Sequence, residues 1–170
     1  MTAAPGERRT LIVTRGLPGS GKTTAALAWV AQDPTGRARV GTDGIVAMIR
    51  PPMPYTQIEA VGLGLQADRV EQAAVHGAIA GLLAAGVDVV CDDVNLLPRH
   101  LHALHQLADR CGADVEVWDL THVDVATCIE RDAQRGRDGG HTAGADQIRA
   151  KHRIWLAHQA ADRCGLVGAR

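Results

Sequence analysis

Apolar and polar positions fall into short alternating blocks along this chain of 170 residues. Leu11-Ile12-Val13 is a brief apolar run ending at a glycine-rich turn, which predicts a buried strand. Thr23 to Gln32 carries Ala25, Ala26, Leu27, Ala28 and Val30 and predicts a helix, broken at Pro34-Thr35-Gly36. Arg39-Val40-Gly41-Thr42 predicts a weaker strand that ends at Asp43. Pro51, Pro52 and Pro54 predict a rigid loop, because each ring fixes its own backbone and restrains its neighbour. Thr56 and Glu59 fit a capping box, so a long helix is expected from there towards Ala85, stopped by Gly86. Val87 to Cys91 is the clearest central strand, and Asp92-Asp93 follows it. Pro98 suits a first helical turn, and Leu101, Leu104, Leu107 and Ala108 continue as a helical stripe to Gly112. Val115, Val117 and Leu120 alternate with polar residues as a strand does. Asp124 is expected to cap a helix running through Ile129 to Arg135, Gly136 to Gly144 to form a loop, and a last helix to run from about Ala145 to Cys164.

Strands and helices thus alternate, which predicts an α/β fold: a mostly parallel sheet of four or five strands with helices on both faces. The whole chain, 1–170, is expected to be one domain, since neither a long linker nor an internal repeat interrupts it. In such sheets ligands bind beyond the carboxyl ends of the strands, where the chemically interesting residues fall.

Composition narrows the field. With 46% hydrophobic and 22% charged residues, the chain can bury a core and is not a disordered tail. Eighteen basic residues against 19 acidic ones give a formal net charge of -1, which excludes binding to nucleic acid by bulk charge alone. The absence of Phe, with one Tyr and three Trp, argues against a base-stacking platform. No apolar run approaches the ~18 residues of a membrane span, and no secretory leader is visible, so no membrane association is expected. Four cysteines without a C-x-x-C pair suggest free thiols in a reducing cytoplasm. His100, His102 and His105 are not spaced to share one helix face, so no metal site is expected there.

Four elements carry chemistry. Gly16-Leu17-Pro18-Gly19-Ser20-Gly21-Lys22-Thr23 matches G-x-x-x-x-G-K-S/T, between a predicted strand and a predicted helix. Its glycines let main-chain N–H groups face phosphate oxygens, with Pro18, Ser20 and Thr24 in the same cradle. Lys22 is expected to reach the outer phosphates and Thr23 to ligate Mg²⁺. Asp92 and Asp93 are two candidates for a carboxylate near that metal, of which strand alternation turns only one towards the nucleotide. Asp43, at the end of the second strand, can take a proton from an attacking hydroxyl. Arg131 and Arg135 share a helix face and, with Arg137, flank the glycine-rich loop, where guanidinium groups can close over a nucleotide.

In order, Gly16–Thr23, Thr42-Asp43, Asp92-Asp93-Val94-Asn95-Leu96 with Pro98 behind it, and Arg131-Asp132-Ala133-Gln134-Arg135-Gly136 resemble the P-loop kinase domain of the bacteriophage polynucleotide 5′-hydroxyl kinase family. The resemblance covers most of the chain and is weakest between Arg50 and Ala85. It implies a four-stranded parallel sheet with an arginine-bearing lid, at about 131–146 here. It implies that Lys22 and Thr23 bind ATP, or another nucleoside triphosphate, with Mg²⁺. Asp43 would be the general base, Asp93 and Asn95 would lie on the acceptor side, and Arg131 and Arg135 would lie on the donor phosphates. Asp92 is then the expected metal-side carboxylate. The family carries an arginine three residues after the base, where this chain has Val46, and Arg50 is the candidate substitute. The expected activity is Mg-ATP-dependent phosphorylation of a hydroxyl, with the 5′-OH of DNA or RNA as leading acceptor. The alternatives are a kinase of another acceptor (a hydroxymethylated DNA base, a nucleoside, a sugar, an antibiotic or a sugar nucleotide) and a non-kinase nucleotide-binding ATPase module.

Overall fold

The computed structural model describes residues 8–49 and 64–163. The expected proline loop, the capping box at Thr56 and Glu59, and the acceptor candidate Arg50 lie outside the described residues. Among the described residues the elements are β1 (Thr10–Arg15), α1 (Lys22–Gln32), β2 (Arg37–Val40), α2 (Thr42–Ile49), α3 (Gly64–Ala84), β3 (Asp88–Cys91), α4 (Pro98–Cys111), β4 (Asp114–Asp119), α5 (Val125–Arg137) and α6 (Ala145–Arg163). The four strands form one parallel sheet in the order β2-β3-β1-β4. The α/β architecture therefore stands as expected. None of the described helices is long and apolar enough to cross a membrane.

Alternation along the strands builds two cores. Leu11 and Val13 of β1 and Val89 and Cys91 of β3 face one side, where Val75, Ile79 and Leu83 of α3 and Leu104, Leu107 and Ala108 of α4 cover them. Ile12 and Val90 face the other side and meet Ala26 of α1, flanked by Trp29, Val30 and Trp118. A third cluster, Leu17, Leu96, Cys128 and Ile148, lies beyond the strands and holds the phosphate-loop region against α5 and α6. The buried members of all three clusters are aliphatic or cysteine, and tryptophans pack only at the edges of two of them.

Register sets the working end of the sheet. Val13 pairs with Cys91, and Cys91 pairs with Val40, so β1, β3 and β2 finish side by side. Two side chains latch that end. The buried Thr14 hydroxyl lies 3.1 Å from the carbonyl oxygens of both Cys91 and Asp93. The Asn95 amide donates to the Thr14 carbonyl at 3.0 Å while its own backbone sits at φ 41°, a left-handed conformation that asparagine tolerates.

Three boundaries differ from the sequence pattern. Thr42 starts α2 instead of ending β2, because its amide is drawn to the Asp93 carboxylate. Strand β2 begins earlier, at Arg37, in register with Asp88. Helix α5 does not break at Gly136 but continues to Arg137. There the glycine serves close approach: a Cβ on Gly136 would lie 2.6 Å from Cγ2 of Thr142, on the returning chain.

Ile79 is fully buried between α3 and the sheet. Ile79→Ala should lower the unfolding free energy by about 2–5 kcal/mol, read from the urea midpoint.

Candidate active site

The loop from Gly16 to Gly21 joins β1 to α1. The Gly16 amide donates to the Val94 carbonyl at 3.0 Å, tying the loop to the chain beyond β3. Gly19 has φ +84°, and a Cβ there would lie 2.2 Å from the Cys128 carbonyl oxygen. Only glycine permits that contact, so loop and α5 meet main chain to main chain. Gly21 caps α1 without a side-chain acceptor, leaving the first helical amides for another partner. The Ser20 hydroxyl is buried with no hydrogen-bond partner. Lys22 is also buried, and its ammonium donates to the Leu17 carbonyl at 2.7 Å. Burial pulls the Lys22 pKa below the ordinary lysine value, against the opposing pull of Asp92, Cys128 and Asp93, with Arg135 adding to the lowering. Thr23 and Thr24 follow, exposed on the first turn. Uncapped amides, an orphaned hydroxyl and a buried ammonium make a donor set complementary to phosphate oxygens.

Asp92 and Asp93 close the opposite side. Asp92 is almost fully buried; its Oδ2 accepts from Nη1 of Arg39 at 2.6 Å, and its Oδ1 has no partner. Lys22 feels Asp92 more strongly than any other charge. Asp93 Oδ1 accepts from the Thr42 amide at 2.9 Å, which pins the start of α2 and keeps Asp43, in its first turn, within electrostatic reach of Asp93. Burial pushes the Asp93 carboxyl above the usual carboxylate range in spite of the Thr42 bonds, and the charges of Asp92 and Asp43 push the same way. Asp43 itself is exposed. Asn95 is buried, and its amide nitrogen is committed to the Thr14 and Asp93 carbonyls. It braces this end of the sheet and presents no free donor to a substrate.

Helix α5 packs against the phosphate loop. Cys128, Arg131, Asp132 and Arg135 follow one another at helical spacing, so the face that touches Gly19 also carries both arginines. Arg131 and Arg135, with Gln134, Asp138 and Gly140, line a shallow groove of about 340 Å³. Both arginines are exposed, and Arg135 is ion-paired with the buried Asp132. Arg137 turns along the helix to bond Gln134 instead of facing the groove.

Three residues that the sequence pattern did not single out shape this site: Arg39, Thr14 and Asp132. Arg39 had a signal, since a charged residue in a predicted parallel strand needs a partner. Asp132 had one too, because it shares the helix face of Cys128. Thr14 had none beyond its place before the loop.

A parallel sheet with a glycine phosphate loop after its first strand, and carboxylates at the ends of the neighbouring strands, defines a P-loop nucleotide-binding fold of the kinase type. Within that class the chain belongs to the AAA domain family, whose model matches residues 11–155. None of the curated proteins is significantly similar in sequence. Among solved structures, a chain of the Pnkp1/Rnl/Hen1 RNA repair complex superposes with a TM-score of 0.68 at 19% identity, covering 95% of this chain and 49% of the other. The present chain thus spans about half the length of that neighbour. A gluconokinase from Sinorhizobium meliloti gives 0.55 at 20% identity over 86% of this chain and 75% of its own. The Mycobacterium tuberculosis APS kinase CysC, in complex with AMPPNP and APS, gives 0.53 at 18% over 81% and 78%. At these identities the likeness is one of fold.

Asp93 has a raised carboxyl pKa in the folded chain, so its contribution to stability is complete in acid and is lost as pH rises through that folded value. Asp93→Asn cannot ionise. Unfolding by urea should therefore show the variant gaining on the parent as pH rises above the ordinary carboxylate range; a constant gap would mean that Asp93 carries no such penalty.

Proposed function

We propose that this chain is a kinase that uses Mg²⁺ and a nucleoside triphosphate, ATP above all, to phosphorylate a hydroxyl, with the 5′-OH of DNA or RNA as acceptor. The observation that carries the reading is a buried phosphate-loop lysine within electrostatic reach of two strand-end carboxylates, one of which in turn is within reach of Asp43. The main-chain amides of Gly19, Gly21 and the first turn of α1, with the side chains of Ser20, Lys22 and Thr24, would hold the phosphates. Thr23 and the free Oδ1 of Asp92 would hold Mg²⁺, which supplies charge neutralisation on the phosphate oxygens. Residues 131–146 form the lid, and Arg131 and Arg135 spread the charge that develops during transfer.

Asp43 accepts the proton of the attacking hydroxyl. That oxygen bonds to the γ-phosphorus as the bridge to the β-phosphate breaks, and the nucleoside diphosphate leaves in line. Asp93 anchors α2 through Thr42 and so fixes where Asp43 stands. Asn95 supports the same region from behind. Arg50 is the proposed cation on the acceptor side. The polynucleotide acceptor is supported by the RNA repair complex, whose fold covers 95% of this chain. Chemistry of this kind fits the cytoplasm, where triphosphates are available.

One observation favours a second reading, a small neutral acceptor. From Gly44 to Ile49, α2 offers no cation beside Asp43, and Val46 stands one turn from it. A polyanionic acceptor must then find its positive contacts on other elements.

Transfer of label from γ-labelled ATP tests both. The acceptors are 5′-OH and 5′-phosphorylated oligonucleotides of DNA and RNA, nucleosides and sugars. Label confined to 5′-OH strands is the expected outcome. Asp43→Asn should lower turnover by about 10²–10⁴-fold while leaving nucleotide affinity intact. Label on nucleosides or sugars alone would move the assignment to a small-molecule kinase, and nucleotide hydrolysis indifferent to Asp43→Asn would exclude a kinase.

A further inference from the structure

Asp132 is absent from the roles assigned above, yet it is the most densely bonded carboxylate near the groove. Its side chain is 2% exposed. It accepts from the Gly144 amide at 2.8 Å and the Ala143 amide at 3.1 Å, and it holds the Arg135 guanidinium. Burial alone would raise its pKa, but these donors, the two amides and Arg135, hold the carboxyl below the usual range.

The opposite side of Arg135 is held as closely. The Gly140 amide donates to the Arg135 carbonyl at 2.9 Å. A Cβ on Gly140 would lie 2.7 Å from Cγ of Arg135, so glycine lets the returning chain rest on the arginine stem. Arg135 is thus gripped between a buried carboxylate and a glycine main chain, and the same carboxylate ties down the segment that bears the glycine. Among the described residues Arg131, one turn earlier, has no such clamp, and both arginines remain exposed.

We infer that Asp132 is a positioning residue that makes Arg135 and the 138–144 segment one preorganised unit within electrostatic reach of the phosphate loop. A guanidinium has five N–H donors in a fixed fork. One engaged by Asp132 sets the plane and leaves others for phosphate oxygens. An arginine already held in place loses less side-chain freedom when it binds, which raises affinity without any new contact with the ligand. The Arg135 charge is already felt at Lys22, which places the clamp within electrostatic reach of the loop.

The inference rests on the nucleotide reading above, and the test separates the two. Binding of a non-hydrolysable ATP analogue with Mg²⁺ is measured by calorimetry on the full chain, as parent, Asp132→Asn, Arg135→Ala and the double variant. Hydrogen exchange at the Ala143 and Gly144 amides is followed without ligand. Asp132→Asn should weaken analogue binding about tenfold and speed exchange at both amides. In the Arg135→Ala background the same change should cost less than about twofold, because Asp132 acts through Arg135. If the two losses instead multiply, Asp132 is only a structural brace and the inference falls while the nucleotide reading stands. A parent chain that binds no analogue overturns both. Should Asp132→Asn fail to fold, Gly140→Ala probes the same clamp from the other side. It should weaken binding in the parent and not in Arg135→Ala, and equal losses in both backgrounds would overturn the inference.

Discussion

The absence of one side chain sets the relation between the phosphate loop and the helix that faces it. Gly19 lets the loop touch the Cys128 carbonyl, and any Cβ would force the two main chains apart. Once Cys128 is fixed there, helical periodicity places Arg131, Asp132 and Arg135 without further instruction. The cluster of Leu17, Leu96, Cys128 and Ile148 seals the joint from below, so loop and helix share one small core. What could have been a separately tethered flap is instead packed on the loop it serves.

The second organising feature is charge held out of water. A buried ammonium alone would be costly, and Asp92 and Asp93 offset that cost for Lys22. Burial, and after it the charges of Asp92 and Asp43, in turn raise the Asp93 carboxyl pKa. Arg39 relieves one oxygen of Asp92 and leaves the other without a partner. The resting site therefore keeps both an unspent acceptor and an unspent hydroxyl, Ser20, a few residues from its cation. Such orphaned groups are tolerated where a ligand completes them.

Much of this was legible in the sequence because it rests on local rules. The glycine pattern before Lys22, the apolar strand around Val89 and the Pro98 helix start each follow from short-range chemistry, and the structure has them in place. The paired carboxylates were visible as candidates, but their division of labour was not. Alternation says only that neighbours diverge; Arg39 and Thr42, 53 and 51 residues away, decide what each one meets. Gly136 read as a helix break because glycine is a poor helix former, whereas here the nearness of Thr142 selects it. The inward turn of Asp132 depends on Ala143 and Gly144 folding back, which no local propensity encodes.

The strand order has a consequence for how such a chain comes into being. Among the described residues, β1 pairs with β3 and β4, and β2 pairs only with β3. During synthesis neither of the first two strands has one of its described sheet neighbours until Asp88–Cys91 emerges, so Leu11, Ile12 and Val13 wait through some seventy residues of translation for a strand to pair with. The contacts that give the sheet its working end are among the longest in sequence, and loop-closure entropy delays them. A ribosome-bound fragment ending before β3 would carry the complete phosphate-loop motif and still lack the surface that shapes it.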